Sequence, residues 1–470
     1  MNTSGSLEGQ SFHLIGIGGA GMSVVAELLS GEGAKVTGSD RQDSAVLQDL
    51  ISKGIGAYFP HHADSVPPSA TVVLSSAIRP TNPELAIARE RGQRIIHRSL
   101  ALALAAQGQP FIAVAGAHGK TSTSAMIAMA LLHSGVDVSF AIGGPVLGSG
   151  SGARVGKEVF VAEADESDGS FLHYTPSVEV ITNVEPDHLD HFGSAEAFTG
   201  IFKQFVERLV PGGTLICCAE DPGSSLIAEF GAGREQVGNV VTYGRAAFSL
   251  LPPTVEIADV DMTADSSRAT LVTKDGRFLV ELAVTGEHNL LNAAGAWAAC
   301  VASGIDGAQA ATALEHFRGA GRRFELRATV AGKRVYDDYA HHPTEVEAAL
   351  KQARIVAGDG RVVAVFQPHL YSRTRNFADR FASALSHADE VVLADIYAAR
   401  EDPIPGVTTE LILDSPKLTA PARYIGDCHD AAVVAAGITN PGDVCLLIGA
   451  GDIFLQSSTV ERAWTEEATK

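Results

Sequence analysis

The sequence is poor in cysteine and lacks the spacings that a disulfide framework or a zinc site requires. Its 470 residues include five cysteines, and no two of them form a CxxC pair. We therefore expect free thiols in a reducing compartment. No catalytic role is predicted for any of the five, which are Cys217, Cys218, Cys300, Cys428 and Cys445.

Positive charge and long apolar runs are also scarce. Lysine and arginine total 35 against 55 acidic residues, so the formal net charge is −20. This balance argues against nucleic acid or an anionic membrane surface as a partner. The N-terminus has no basic region leading into an apolar run, and no stretch of about 18 uninterrupted apolar residues occurs. We expect a cytoplasmic protein that is neither secreted nor inserted into a membrane.

The remaining composition is typical of a globular α/β protein with several domains. Hydrophobic residues make up 46% of the chain, charged residues 19%, and glycines number 48. A chain of this length is expected to form two to four domains. Three times it passes from a short apolar strand through a marked loop into a helix, which is typical of parallel α/β units. We predict three domains, at residues 1–107, 108–321 and 322–470.

The strongest local motif predicts a phosphate-binding loop at residues 116–121, here called the phosphate loop. It lies between the apolar stretch 111–115 and a predicted helix. Glycines let backbone N–H groups approach phosphate oxygens, Lys120 adds positive charge, and the Thr121 hydroxyl can ligate magnesium. Only two residues separate Gly116 from Gly119, where the common motif has four. An ordinary glycine-rich turn with a solvated lysine is the open alternative.

Two acidic motifs follow neighbouring predicted strands of the same domain. Residues 163–168, here called the acidic segment, follow the apolar stretch 158–162, and residues 183–191 follow the stretch 178–182. The carboxyl ends of parallel strands face one crevice, so Glu163 and His188 are candidates to complete one or two magnesium sites. Magnesium prefers oxygen ligands, which makes His188 the less expected member. Helix caps or solvated loop charges are the alternative.

A glycine-rich loop at residues 16–21 follows the first predicted strand, and Asp40 lies at the end of the second. The spacing resembles a dinucleotide-binding fingerprint. Glycines of this kind hold the diphosphate of any nucleotide, because the backbone recognises pyrophosphate and not nicotinamide. Close packing of a turn is the alternative.

Two motifs of the third predicted domain bring together histidine, tyrosine and arginine. Residues 337–345 and 367–375 each pass from a predicted strand towards a helix. Such clusters can hold an anionic reacting centre, since the arginine fork matches carboxylate and phosphate. A helix cap and a solvated basic loop are the alternative. Together the motifs predict an α/β fold with a Rossmann-like first domain, a central P-loop ATPase-like domain with an antiparallel extension after residue 214, and a Rossmann-like third domain.

Taken in order, the motifs at 16–23, 116–123, 163–168, 183–188, 337–345 and 367–375 resemble those of the Mur ligases over nearly the whole chain. The short phosphate loop also resembles that family's form. The resemblance implies an ATP- and Mg²⁺-dependent ligase that joins L-alanine to the lactyl carboxylate of UDP-N-acetylmuramate through an acyl phosphate. It implies a first domain that binds the UDP-sugar, a second that binds ATP and a third that binds the amino acid. We expect a monomer or a weak homodimer.

The same resemblance assigns roles to individual residues. It makes Lys120, His188 and Arg373 catalytic and gives magnesium to Thr121, Glu163 and His188, with Glu166 a weaker metal candidate. The residues expected to contact nucleotide are Gly116, His118, Gly119, Lys120, Thr121, Ser122, Asn289, Asn292, Arg322, Arg323 and His369. Those expected to contact substrate are Gly16, Gly18, Gly19, Ala20, Gly21, Ser39, Asp40, Ser76, Tyr339, His341, His342 and Arg373.

Two positions depart from the family pattern, and three other functions remain as alternatives. Leu370 stands where some members have arginine, and Lys203 lies where sister ligases carry a carbamylated lysine, a modification not expected in the branch that adds alanine. A ligase joining a different amine and carboxylate, for example of the folylpolyglutamate type, uses the same chemistry. A dehydrogenase explains the glycine-rich loop but not Lys120. A nucleotide sensor explains binding but not the cluster of the third domain.

Overall fold

The protein is described from a computed structural model, which covers residues 7–186, 192–399 and 401–469. It contains three sheets, each built mainly from parallel strands with helices between them, and the predicted three-domain α/β architecture is confirmed. His188 lies outside the described residues. Within them, no helix has both the length and the apolar character needed to cross a bilayer.

The first sheet has five parallel strands in the order β3-β2-β1-β4-β5. The order reverses between β1 and β4, so a crevice opens at the carboxyl end of β1, where the glycine-rich loop begins. The strands are β1 (Ser11–Ile15), β2 (Lys35–Ser39), β3 (Gly56–Tyr58), β4 (Thr71–Leu74) and β5 (Ile95–His97). The helices are α1 (Ala20–Gly31), α2 (Ala45–Ser52), α3 (Pro83–Glu90) and α4 (Arg98–Ala105).

The second sheet has ten strands in the order β15-β14-β13-β12-β11-β10-β6-β9-β7-β8. Its central strand β6 pairs in parallel with β9 and β10, which brings the ends of these three strands to one edge. The strands are β6 (Phe111–Ala115), β7 (Val138–Ala141), β8 (Ala153–Arg154), β9 (Val159–Glu163), β10 (Val178–Ile181), β11 (Gly213–Cys218), β12 (Val237–Gly244), β13 (Val255–Met262), β14 (Ser267–Thr273) and β15 (Gly276–Leu282). The helices of this part of the chain are α5 (Lys120–His133), α6 (Ala195–Val206), α7 (Pro222–Ala232), α8 (Glu287–Ala302) and α9 (Gly307–Leu314).

The antiparallel extension of this sheet begins later in the chain than predicted. Strand β11 pairs in parallel with β10, β12 with β11 and β13 with β12. Helix α6 lies between β10 and β11 and α7 between β11 and β12, which gives these parallel neighbours the helical crossovers they need. A two-residue turn at 274–275 joins the neighbouring strands β14 and β15. The expected hairpin is therefore present, with its turn one residue earlier than the predicted Asp275-Gly276 pair.

The third sheet has six strands in the order β16-β17-β21-β18-β19-β20, with β16 antiparallel to β17 and the other pairs parallel. Separate apolar cores cover its two faces. The strands are β16 (Glu325–Val330), β17 (Lys333–Asp338), β18 (Val362–Phe366), β19 (Glu390–Leu393), β20 (Ala422–Tyr424) and β21 (Val444–Ile448). The helices are α10 (Pro343–Ala357), α11 (Tyr371–Leu385), α12 (Glu410–Leu413), α13 (Cys428–Ile438) and α14 (Ser457–Ala468).

Candidate active site

The phosphate loop joins β6 to α5, as the motif predicts, and two of its glycines are required by the backbone. Gly116 has φ +134°, and a Cβ there would stand 2.1 Å from Thr182 Oγ1. Gly119 has φ +82°, and a Cβ there would stand 2.7 Å from Asn292 Oδ1. Larger residues would be both strained and obstructed at these positions. The loop can therefore bring its backbone close to a ligand at the N-terminus of α5, where the helix dipole favours an anion.

Two polar residues at the end of β10 hold the phosphate loop in place. The Asn183 side chain accepts a hydrogen bond from His118 N (3.0 Å) and donates one to His118 O (2.9 Å). The Thr182 hydroxyl also donates to His118 O, at 2.6 Å. Neither residue was among the predicted site residues. The available signal was their position, since both directly follow an apolar strand that neighbours β6.

Lys120 is fixed by the loop and by the acidic segment. Its ammonium group donates to Gly116 O (2.6 Å), Ala117 O (3.3 Å) and Glu166 Oε1 (2.9 Å). Burial alone lowers the pKa of Lys120, but the charges of Glu166 and Asp165 raise it above its ordinary value. Burial raises the pKa of Glu166 to about 7 against the attraction of Lys120. Lys120 therefore stays a cation at the start of α5.

Hard oxygen ligands lie at the start of α5 and at the end of β9. Thr121 and Ser122 follow Lys120 in the first turn of α5 and are buried. The Glu163 carboxylate ends β9 and accepts a hydrogen bond from Gly143 N at 2.9 Å. Hydroxyl and carboxylate oxygens are the donors that magnesium prefers, so Thr121 and Glu163 fit the predicted ion by their chemistry.

Asn289 and Asn292, the predicted nucleotide-contacting residues of α8, have different surroundings. Asn292 is buried with its side-chain oxygen beside Gly119 of the phosphate loop. Asn289 is also buried, and its amide donates to Thr285 O at 2.8 Å.

His118 of the phosphate loop contacts the second acidic motif. Its Nε2 lies 3.1 Å from Glu185 Oε2.

The glycine-rich loop of the first domain is held by the end of β2. Ser39 O accepts hydrogen bonds from Gly16 N (2.8 Å) and Ile17 N (2.9 Å). The Asp40 carboxylate accepts one from Gly18 N at 2.9 Å. Gly19 precedes α1, whose first residues are Ala20 and Gly21, so the loop presents a helix N-terminus to the crevice.

Ser39, whose carbonyl supports the glycine-rich loop, has its side chain in a buried hydrogen-bond network. Its side chain is fully buried, and its hydroxyl is hydrogen-bonded to Glu84 and to His61 Nδ1, the latter at 2.7 Å. Glu84 also lies 3.3 Å from both His13 Nε2 and the Tyr58 hydroxyl. This buried network was not predicted, because its five members come from four separate parts of the chain. The Ser39 carbonyl therefore supports the loop, and the substrate contact predicted for Ser39 stays a prediction.

The third sheet gathers the predicted aromatic and basic residues at the carboxyl end of β17. Arg322, at φ +59°, donates to Gly449 O at 2.9 Å. The guanidinium carbons of Arg322 and Arg323 lie 4.7 and 5.2 Å from the centre of the Tyr339 ring. His341 packs edge-on against the same ring at 5.4 Å. Two cations and a histidine thus surround the Tyr339 ring, and both cations lie outside the motifs 337–345 and 367–375 from which the cluster was predicted.

A second group follows β18 and lies beside the first. The rings of His341 and His369 are 5.9 Å apart, and Arg373 Nη1 lies 3.3 Å from His369 Nδ1. His369 stacks on Tyr397 at 5.8 Å. Leu370 is buried with a left-handed φ of +71°, a conformation that is costly for a side chain of its kind. The sequence did not indicate Tyr397 or the strain at Leu370.

Three other residues of the third domain, Asp337, Asp338 and His342, lie at the end of β17 or shortly after it, and Asp337 and His342 are fully buried. His342 is fully buried at the N-cap of α10, where Glu345 accepts from the His341 and His342 backbone. Burial raises the pKa of Asp337 to about 7 and of Asp338 to about 6. Glu345 therefore orders the loop of residues 339–342, and the substrate contact predicted for His342 stays a prediction.

Ser76 and Lys203 lie in different environments. Ser76 donates to Asp168 Oδ2 at 2.7 Å, which ties the first domain to the acidic segment. Lys203 is exposed on α6, with its ammonium 5.6 Å from the centre of the Phe230 ring. Lys203 thus lies at the surface, and whether it is modified is not tested by its position.

Known proteins resemble this chain along its whole length. Three family profiles match: the Mur ligase family catalytic domain at 11–110, the Mur ligase middle domain at 114–300 and the Mur ligase glutamate ligase domain at 322–451. The UDP-N-acetylmuramate–L-alanine ligase of Kineococcus radiotolerans is 52% identical, covering 94% of this chain and 93% of its own. That of Renibacterium salmoninarum is 47% identical with the same coverage.

A solved structure agrees with these matches. The UDP-N-acetylmuramate-alanine ligase MurC of Thermotoga maritima superposes with a TM-score of 0.79 at 29% identity, covering 97% of this chain and 99% of its own. The resemblance inferred from the motifs is confirmed by relatives that span all three domains. The chain belongs to the Mur ligase family.

Proposed function

We propose that this protein is the ATP-dependent ligase that joins L-alanine to the lactyl carboxylate of UDP-N-acetylmuramate, a step of peptidoglycan precursor synthesis. The observation that carries the proposal is 52% identity across 94% of the chain to a relative named for this reaction. The hydrogen bonds of the acidic segment to Lys120 of the phosphate loop and to Ser76 of the first domain support the proposal.

The proposed chemistry proceeds in two balanced steps. A lactyl carboxylate oxygen attacks the γ-phosphorus of ATP, the bond from that phosphorus to the β–γ bridging oxygen breaks, and ADP leaves. The amine nitrogen of L-alanine then attacks the carbonyl carbon of the acyl phosphate. The carbon–oxygen bond to phosphate breaks, phosphate leaves, and the nitrogen loses a proton as the amide forms. Activation is needed because a carboxylate is a poor electrophile.

In this proposal the side chains position charge around the transferring group. Lys120 neutralises negative charge on the phosphoryl group, and the backbone of Gly116 and Gly119 approaches its oxygens. Thr121, Glu163 and His188 would hold magnesium, which would withdraw negative charge from the transferring phosphoryl group. Arg373 is proposed to meet the carboxylate of the amino acid, since Leu370 offers no charge.

The remaining predicted contacts are part of the proposal. The glycine-rich loop and Asp40 would hold the UDP diphosphate and ribose, and Ser76 would contact the sugar. Arg322, Arg323, Asn292 and His369 would contact nucleotide, and Tyr339 and His341 would face the amino acid. We also propose a cytoplasmic enzyme, a monomer or weak homodimer, in keeping with five free thiols and a dependence on ATP.

The test is phosphate release from Mg·ATP in the presence of UDP-N-acetylmuramate, comparing L-alanine with glycine, L-serine and no amino acid. We expect L-alanine to stimulate release the most and to yield the amide product by mass spectrometry. If L-alanine gives no stimulation, the proposed function is rejected. Binding of NAD to the protein more tightly than UDP would favour the dehydrogenase alternative.

A further inference from the structure

Arg98 lies at the junction of the two phosphate-binding loops. It is the first residue of α4 and directly follows β5 of the first sheet. Its Nη1 lies 3.0 Å from where a Cβ on Gly21 would stand, so the guanidinium borders the glycine-rich loop. Its Nη2 donates to the carboxylate of Asp165 in the acidic segment. One planar cation therefore faces both a diphosphate-type loop and a carboxylate of the second domain.

The next residue of the acidic segment reaches the phosphate loop. Glu166 accepts a hydrogen bond from Lys120 Nζ at 2.9 Å, and its side chain is only 2% exposed. Asp165 and Glu166 are adjacent, so a shift of one carboxylate moves the backbone of the other. The contacts Arg98–Asp165 and Glu166–Lys120 thus form a continuous chain from the glycine-rich loop to the phosphate loop.

Further contacts keep the acidic segment against the first domain. Asp168 accepts from Ser76 at 2.7 Å and lies 3.5 Å from His97 Nε2. The Ser99 hydroxyl lies 2.6 Å from His173 Nδ1, just beyond the segment. Since His97 and Ser99 flank Arg98, the start of α4 acts as one platform for residues 165–173. The segment is therefore positioned by the first domain and not by its own sheet alone.

We propose that Arg98 binds the diphosphate of the nucleotide-sugar substrate while it keeps its hydrogen bond to Asp165. Arg98 thereby couples occupancy of the glycine-rich loop to ATP binding at the phosphate loop. The inference rests on the proposed function, since it requires both nucleotides. A guanidinium has five donors in a fixed fork and can bind phosphate on one edge and carboxylate on another. The first nucleotide bound orders Arg98 and the acidic segment, so the second finds Glu163 and Lys120 already positioned. The coupling is positive and reciprocal.

The experiment measures the affinity for magnesium·AMP-PNP by calorimetry on the full chain, with and without saturating UDP-N-acetylmuramate. For the wild type we expect tighter binding in the presence of the UDP-sugar, by about 5- to 150-fold, and the same factor when the order of addition is reversed. In Arg98→Ala and in Asp165→Asn the factor falls to about one. The double variant shows no further loss, because both changes break one contact.

Two further variants separate coupling from a structural role. Arg98→Lys keeps the charge but not the fork, and we expect it to recover part of the coupling. Arg94→Ala removes an exposed arginine of the same domain and keeps the wild-type factor. Thermal melting checks that each variant is folded, and Asp165→Asn provides the test if Arg98→Ala is not.

The outcomes distinguish this inference from the proposed function. If the wild type forms the alanine amide but the coupling factor is the same in wild type, Arg98→Ala and Asp165→Asn, the inference is overturned and the proposed function stands. If the wild type binds neither UDP-N-acetylmuramate nor UDP, both are overturned.

Discussion

Lys120 is the residue whose environment most directly favours phosphoryl transfer. It is buried and remains a cation because of Glu166 and Asp165. It follows the loop directly as the first residue of α5. We predict that Lys120→Ala lowers turnover by about 10²- to 10³-fold, the effect of removing one preorganised charge-stabilising donor. Phosphate release in the presence of L-alanine measures the loss.

A matched control is available for this change. Lys274 is an exposed lysine in the turn between β14 and β15, so Lys274→Ala removes the same charge without touching the phosphate loop. We expect Lys274→Ala to retain wild-type turnover. Turnover of Lys120→Ala close to that of the control would contradict the role assigned to Lys120.

At the residue scale, the sequence predicted which side chains lie near one another. It did not predict which of those side chains are exposed. The sequence identified Lys120, Thr121 and Glu163 because a change in residue periodicity shows where a strand ends and where the following loop or helix begins. Ser39 and His342 were also identified, yet both are fully buried. Their burial depends on partners such as Glu84, 45 residues away from Ser39, and no local pattern reveals such a pairing.

Strand β10 carries a buried acid, Glu179, which affects stability more than chemistry. Neither carboxylate oxygen has a hydrogen-bond partner within the described residues, and burial raises the pKa of Glu179 well above its ordinary value. The folded protein thus keeps a proton that the unfolded chain loses above about pH 4.3. Because the folded state binds more protons, the free energy of unfolding falls as pH rises between those two pKa values.

We predict that Glu179→Gln melts at a higher temperature than the wild type and that the difference grows from pH 5 to pH 8. The physical limit is about 1.4 kcal/mol per pH unit for a single group. Thermal melts at several pH values measure it. Glu281→Gln, at an exposed position of β15, should show no such trend. If the melting temperatures of the wild type and of Glu179→Gln differ by the same amount at every pH, the assignment is rejected.

Helix α5 has a glycine with a left-handed φ near each end. Comparing alanine substitutions at the two glycines separates the cost of backbone strain from the effect of obstructing the phosphate loop. Gly116 (φ +134°) precedes the helix and Gly135 (φ +87°) follows it. An added Cβ meets Thr182 Oγ1 at 2.1 Å in the first case and nothing within 4 Å in the second. Both alanine variants should lose stability, by about 1–2 kcal/mol from the left-handed backbone.

Only Gly116→Ala should also displace the phosphate loop. We expect it to lower ATP-dependent turnover by about 10²-fold, the effect of misplacing a reacting group by about 1 Å, while Gly135→Ala stays active. Denaturant titration and phosphate release measure the two effects. Equal activity of the two variants would show that the contact with Thr182 does not determine the loop position.

At the element scale, the sequence predicted strand positions well because buried parallel strands form short apolar runs. Strands β6, β18 and β21 lie at the predicted residues. The direction of β11 and β12 was missed because short alternating strands can pair either way. What decides between them is the helix α7 (Pro222–Ala232), whose serine and glycine residues weaken the apolar pattern by which a helix is recognised in a sequence.

For the whole molecule, the three-part organisation follows from local motifs, while the links between parts do not. Each part begins with an apolar strand and a polar loop, which a sequence displays directly. The contacts of Ser76 and Arg98 with the acidic segment join residues 92 and 67 positions apart. Such pairs depend on how two completed sheets meet, so they become visible only in the folded chain.

The third sheet provides a test of independence at this scale. The buried residues of its two apolar cores all come from β17 to α14, including Trp464, and the sheet uses no strand from elsewhere in the described residues. The fragment Arg318–Lys470 is the largest segment of a compact unit that also contains Val260–Arg268 and Glu281–Leu290. Because a domain that has its own core can fold alone, we predict that this fragment melts in one cooperative transition. Circular dichroism during thermal unfolding measures it.

The control fragment ends at residue 442 and lacks both α14, with Trp464, and β21, the strand that lies between β17 and β18. Losing this strand leaves two halves of a sheet with unpaired backbone groups and both cores open, so this fragment should show no cooperative transition. A fragment Arg318–Lys470 that unfolds as gradually as the control, while the full chain melts cooperatively, would mean that the preceding domains supply part of its stability. Cooperative melting of the longer fragment alone would instead locate that stability in the six-stranded sheet and the two cores it separates.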